Sequence, residues 1–162
     1  MIETVMVIVL LGILAGLTAP IFSQGLTAAR LTAENLQSME KIRYASERMA
    51  REIRQVNHNG AEYDISSMTA TNFTFVKNAA TVTTVTIAYS GSTVSLGYSV
   101  PAATATLTDE VSSMSFSYYD AVGAVTFSKA NVAFVEISLT LQNPDTGGVF
   151  MQRTRVALRD QS

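Results

Sequence analysis

The chain has 162 residues, a formal net charge of −2 at pH 7, a single histidine and no cysteine. This length predicts one globular domain in addition to an anchor, and the lack of thiols excludes disulfide bonds and thiolate metal ligands. Histidine-based metal clusters are excluded as well, the net charge creates no overall field that favours nucleic acid, and we expect neither a cofactor nor an enzymatic activity.

The N-terminal segment is apolar apart from one acidic residue. Residues 4–29 contain no Lys, Arg, Asp or Glu, and a helix of that length and apolarity is able to span a bilayer. Glu3 lies at the start of this run, and no basic residue stands before it. Because an ionisable group at the edge of a membrane span is costly unless it is paired, we predict that Glu3 meets a positive charge on another molecule. The alternative is a plain membrane anchor whose Glu3 reaches the lipid headgroups.

Three residues weaken the middle of this predicted helix. Pro20 has no amide hydrogen to donate to the carbonyl of Gly16, and its ring crowds that carbonyl. Gly12 and Gly16 add the backbone-entropy cost of glycine in a helix. The hydroxyl of Thr18 is placed to satisfy a nearby freed carbonyl. We therefore predict a regular helix in a bilayer and irregular backbone from Gly12 to Pro20 in an assembled polymer.

Four residues in this segment share one register with a known family motif. Ile2, Glu3, Gly12 and Pro20 fall where the family has Phe-Thr-Leu-Ile-Glu, an aliphatic run, a glycine and a helix-breaking proline. Roughly the first 25 residues resemble the N-terminal segment of type IV pilins and of the pseudopilins of type II secretion systems. The chain departs from the motif at its start, where the Phe-Thr pair is absent and Met1 stands at the family's leucine.

The resemblance implies a filament subunit. It implies a chain inserted once in the inner membrane, trimmed of a basic leader by a prepilin peptidase, and assembled by inner-membrane machinery into an extracellular homo-oligomeric filament. Its helices would bundle in the filament core, with Glu3, Gly12, Gly16 and Pro20 as the assembly residues. Motility, adhesion, secretion and DNA uptake share this design, so each remains open.

Residues 28–56 predict an amphipathic continuation of the helix. Apolar side chains recur every three or four residues and form one stripe: Met39, Ile42, Ala45, Met49, Ile53 and Val56. An ion pair between Glu47 and Arg51 is expected at helical spacing. Residues 1–27 are thus predicted to form a transmembrane or filament-core helix, and residues 28–162 a globular head with a β-rich region over residues 61–160.

After Gly60 the hydrophobic period becomes two, which is typical of strands with one buried face. Alternating residues predict a hairpin over 84–100 that turns at Gly91, strands around Phe73, over 114–118 and over 133–141, and a return strand over 149–158. The predicted fold is therefore α+β and pilin-like, with a long N-terminal helix packed on an antiparallel β-sheet head.

Three arginines, Arg153, Arg155 and Arg159, are predicted to align on one face of the last strand. They would either contact phosphate or an acidic neighbour, or protect an edge strand by their charge. The first possibility keeps a DNA-binding or adhesive pilin open as an alternative function. A minor pilin or pseudopilin is a further alternative, because residues 46–54 resemble the helix of larger minor pseudopilins.

Overall fold

The computed structural model describes residues 2–77 and 81–159, without the side chain of Ala19. Met1 of the family resemblance and residue 160 of the predicted β-rich region lie outside the described residues. One helix precedes eight strands: α1 (Ile2–Ile53), β1 (Ile65–Met68), β2 (Asn72–Lys77), β3 (Thr83–Ser90), β4 (Thr93–Ser99), β5 (Ala102–Thr108), β6 (Val111–Tyr119), β7 (Phe134–Gln142) and β8 (Val149–Ala157).

The chain divides into two compact units between Gln37 and Ser38. In the described part of the first unit, residues 2–37 are all helical. The second unit contains the end of α1 and all eight strands. The boundary at residues 27 and 28, which we drew from composition, stays a prediction.

The end of α1 packs against the sheets of the second unit through the predicted apolar stripe. Five stripe residues are buried: Ile42, Ala45, Met49 and Ile53 in the helix, and Val56 just beyond it. Met39 is exposed, so its assignment to the stripe was wrong. The helix also ends at Ile53, three residues before the predicted end at Val56. Its last turn tightens there, since the amide of Val56 donates to the carbonyl of Ile53, as is common at helix C-termini.

Two antiparallel sheets form the rest of the second unit. The larger has the strand order β1-β2-β3-β4-β5, and the smaller has the order β6-β7-β8. Alternate residues point inward, as the period-two pattern predicted, and Phe73 and Ile87 are paired across β2 and β3 with both side chains fully buried. The predicted α+β fold, a long N-terminal helix with an antiparallel β-sheet head, is confirmed.

Aromatic side chains join the two sheets into one core. The ring of Phe73 in β2 lies 5.8 Å from that of Phe116 and 5.6 Å from that of Tyr118, both in β6. The amide of Phe116 donates to the carbonyl of Ala70 at 2.8 Å, which fixes β6 against the β1–β2 turn. Such buried rings contribute both apolar area and specific geometry to a core.

Candidate assembly segment

Glu3 lies in the first turn of α1. A carboxylate is favourable at this end of a helix because the backbone amides there carry partial positive charge. The large apolar side chains that follow are exposed: Val5, Met6, Val7, Ile8, Val9, Leu10, Leu11, Ile13, Leu14, Leu17, Ile21, Phe22 and Leu26. We call residues 2–29 the apolar segment.

The apolar segment makes α1 long and apolar enough to cross a membrane, judged by length and composition. Its most apolar 18-residue window has a mean hydropathy of 2.6, and none of that window is buried. A helix that is apolar all round is characteristic of burial in lipid or among other helices. Its backbone hydrogen bonds are internal, which meets the requirement for a span in hydrocarbon.

The helix continues through Pro20 without a break. The regular helix predicted in a bilayer and the irregular backbone predicted in the assembled state both stay predictions. A Cβ atom added to Gly12 or Gly16 would have no neighbour within 4 Å. The contacts of a single chain therefore do not require glycine at either position.

Thr18 bonds to the helix backbone on the N-terminal side of the proline. Its hydroxyl donates to the carbonyl of Leu14 at 3.0 Å and to that of Ala15 at 3.3 Å. The carbonyl that Pro20 deprives of a donor is that of Gly16. The hydroxyl thus reinforces the preceding turn instead of serving the carbonyl at the proline.

The predicted arginine stripe is shorter than expected, and its two strand arginines share one carboxylate. Arg153 and Arg155 lie exposed on β8, at one edge of the smaller sheet, but Arg159 follows the end of that strand. Glu136 of β7 forms ion pairs with both strand arginines, at 3.6 Å to Arg153 and 3.2 Å to Arg155. The guanidinium of Arg155 also lies 4.3 Å from the ring centre of Tyr119. Two arginines on an edge strand suit its protection against pairing.

A buried carboxylate, which the sequence did not reveal, fixes the end of α1 to the larger sheet. Glu52 is 1% exposed. Its Oε1 atom lies 3.0 Å from the Arg48 guanidinium and accepts from the Tyr98 hydroxyl at 2.9 Å. Its Oε2 atom lies 3.1 Å from the Lys77 ammonium. With both oxygens partnered, the buried charge is compensated, and the burial of Tyr98 raises the pKa of its phenol.

A second ionic contact holds α1 to the turn between β5 and β6. The ammonium of Lys41 lies 2.9 Å from Glu110 and 3.0 Å from Asp109. The hydrogen bond to Glu110 is the main cause that raises the pKa of Lys41. Asp109 and Glu110 thereby tie this turn to the helix, although the side chain of Asp109 remains 59% exposed. The expected Glu47–Arg51 pair is replaced, because Glu47 bonds to Arg43 at 2.9 Å.

Every charged side chain in these two ionic contacts is paired with another side chain of the second unit. Within residues 2–77 and 81–159, no group of three or more His, Asp or Glu side chains is placed to hold a metal ion. No family model and no curated protein matches this chain. Among the described residues, the strongest indication of function is therefore the apolar segment, which exposes its apolar side chains and has the carboxylate of Glu3 at its start.

Proposed function

We propose that this chain is the structural subunit of a type IV pilus-like extracellular filament. One observation carries the proposal: the exposed apolar segment of α1, residues 2–29, has Glu3 as its only charged side chain. The subunit is anchored once in the inner membrane, processed by a prepilin peptidase, and then passed by membrane machinery into a homopolymer. The resemblance of the first 25 or so residues to pilins and pseudopilins supports each of these steps.

Glu3 selects a partner during assembly. Among aliphatic helices, an unpaired carboxylate has a desolvation cost of several kcal/mol. A cation at the same depth offsets that cost, and in a bundle of identical helices the nearest one is the amino terminus of an adjacent subunit. The carboxylate is thereby satisfied only in the polymer, which makes it an assembly determinant and not a membrane anchor.

The replacement Glu3→Ala tests this role in cells that contain no wild-type copy. We expect the variant to reach the membrane in normal amount, because it makes the segment more apolar, and to yield few or no filaments in the sheared surface fraction by electron microscopy. Glu3→Gln, which keeps the shape and removes the charge, should fail in the same way.

Glu40→Ala is the matched control, since Glu40 is an exposed helical glutamate beyond the apolar segment. It should assemble normally. Normal filament yield from Glu3→Ala would overturn the pairing role. A wild-type chain that stays in the membrane and forms no surface polymer would overturn the filament function and leave a plain anchor.

The same experiment separates the remaining subunit types. A major subunit should be the dominant band of the sheared filaments, whereas a minor pilin or pseudopilin should be present in a few copies. Arg153 and Arg155 share the carboxylate of Glu136, and Arg155 also contacts the ring of Tyr119, so their contacts within the chain give no separate support for nucleic-acid binding.

A further inference from the structure

The larger sheet has an open apolar groove beside α1. The groove has a volume of about 390 Å³ and is lined by residues of the helix, β4 and β5: Tyr44, Arg48, Leu96, Tyr98, Ala103, Ala105, Thr106 and Leu107. Tyr44, at its helical side, is 63% exposed. We call this feature the β5 groove.

The β5 groove exists because the inward side chains of an edge strand are too small to fill the space beside the helix. β5 is the last strand of the larger sheet. Ala105 is paired with Leu96, which is buried, and Ala103 with Tyr98. Both alanines therefore take core-facing positions, yet both are exposed. An apolar side chain from another molecule would complete the core at this edge.

The charge in the β5 groove is already compensated. The guanidinium of Arg48 donates to the Tyr98 hydroxyl at 2.8 Å and forms an ion pair with Glu52 at 3.0 Å. An anionic ligand would have to compete with these contacts. The rest of the lining consists of Tyr44, Leu96, the two alanines, Thr106 and Leu107, and this mainly apolar surface favours an apolar or aromatic occupant.

The same chain presents such a group on the connection between β6 and β7. Val122, Val125 and Phe127 are 88%, 65% and 71% exposed, and we call them the apolar loop. Residues of the apolar loop do not line the β5 groove, so the two features are separate surfaces of the second unit.

The apolar loop is held in a defined shape. One carboxylate oxygen of Asp120 accepts from the amides of Val122 at 3.0 Å and Ala124 at 2.8 Å. The ring of Phe127 lies edge-on to that of Tyr118, with 6.2 Å between centres. Because the loop is already ordered, its insertion into a partner loses little conformational entropy.

We infer that the apolar loop of one copy inserts into the β5 groove of the next copy, with Phe127 against Tyr44 and Ala105. Two different surfaces of one chain that complement each other make a head-to-tail contact, and such a contact continues into an open polymer unless its rotation closes a ring. The inference rests on the proposed filament, to which it adds a contact between heads.

A pair of introduced cysteines tests the contact in the full chain, which has no cysteine of its own. The variant Val125→Cys/Ala105→Cys, which keeps the Phe127 ring, is produced without a wild-type copy, and membranes and sheared filaments are oxidised separately. We expect a ladder of dimers, trimers and longer species on a non-reducing gel. A disulfide requires Cα atoms about 4.4–6.8 Å apart, so the ladder would report direct contact between the two surfaces.

Each single-cysteine variant and the pair Val125→Cys/Ser92→Cys are the controls, since Ser92 is exposed in the β3–β4 turn, outside the groove lining. None of them should form a ladder. In filaments, Ala105→Cys alone should resist a maleimide reagent, and adding Phe127→Ser should restore labelling.

The outcomes separate the contact from the filament function. Filaments without a ladder would overturn the contact and leave the proposed function in place. A protected Ala105→Cys without a ladder would show that another group occupies the β5 groove, and this result would also overturn the contact. A ladder in membranes without filaments would support the contact and overturn the filament function. The absence of both would overturn both.

Discussion

Tyr118 has a buried phenol that can ionise, so its contribution to the unfolding free energy depends on pH. Its ring is buried at 1% exposure between Phe73 and Phe116, and its hydroxyl donates to the carbonyl of Thr69 at 2.8 Å. Burial raises the pKa of this phenol well above its ordinary value of 10.0, because a phenolate in the core would lose its hydration. The folded protein therefore keeps a proton that the unfolded chain releases at high pH.

Tyr118→Phe should make the protein less sensitive to alkali. A raised pKa in the folded state means that the unfolding free energy falls as the pH rises above about 10. At pH 8 the variant should be less stable by about 1 kcal/mol, the typical net value of a hydrogen bond. Above pH 10 its unfolding free energy should fall less steeply than that of the wild type. Urea unfolding of the full chain in detergent at both pH values measures the difference.

Tyr44→Phe is the control for that measurement, because Tyr44 is largely exposed. It should reproduce the wild-type slope. The variant Tyr118→Phe should keep part of the slope, since the pKa values of Lys41 and Tyr98 are raised too and both groups also lose their stabilising state as the pH rises. An unchanged slope in Tyr118→Phe would contradict the assignment.

Sequence patterns found the apolar contacts of individual residues more reliably than the charged ones. Met49 and Ile53 were placed in the core from their spacing, and both are fully buried. Glu52 was missed because a carboxylate is normally an exposed residue, and its burial depends on Lys77 and Tyr98, which lie 25 and 46 residues away along the chain. A local pattern contains no information about partners at that distance.

At the scale of elements, the strands with strong alternation were predicted and those without it were not. β3 and β4 form the predicted hairpin, turning through Gly91, whose φ of +62° suits glycine. β5 was missed because its inward positions 103 and 105 are alanines, which give no contrast with the threonines that follow them. β1 was missed because it has only four residues. The small alanine side chains that weaken the sequence pattern of β5 also leave the space for the β5 groove.

The backbone in the middle of the apolar segment is the part of α1 whose conformation we expect to change on assembly. A proline inside a helix costs about 3 kcal/mol, and in the filament contacts with neighbouring helices would compensate for opened hydrogen bonds. We predict irregular backbone between Gly12 and Pro20 in the filament, with regular helix on both sides. In Pro20→Ala, which restores a donor for the carbonyl of Gly16, the helix should stay regular.

Helical reconstruction of wild-type and Pro20→Ala filaments from electron cryomicroscopy measures this difference. Extended backbone rises up to about 3.3 Å per residue and a helix about 1.5 Å, so the opened stretch would be visibly longer. The matched reference is the wild-type chain in a bilayer, where the helix should remain intact. A straight wild-type helix through Pro20 in the filament would contradict the prediction.

At the scale of the whole molecule, the two units have opposite requirements for their surroundings. The first exposes apolar side chains along its helix and is suited to lipid or to like helices. The second buries its own core of helix and strand residues, and within its described part no buried side-chain nitrogen or oxygen atom lacks a hydrogen-bond partner. Such a core has the features of an independently folding domain.

A fragment of residues 28–162 should therefore fold without the apolar segment. It retains the buried stripe of α1, both sheets and the contacts of Glu52 and Lys41, and it lacks the part that has no partner in water. We expect a soluble monomer that unfolds in one cooperative transition, with the same midpoint by far-UV circular dichroism and by tyrosine fluorescence. The control is the same fragment with Glu52→Ala, which leaves Arg48 and Lys77 without their shared partner and should unfold at lower urea concentration. Aggregation of the unmodified fragment, or separate midpoints for the two probes, would show that the head depends on neighbouring subunits for its fold.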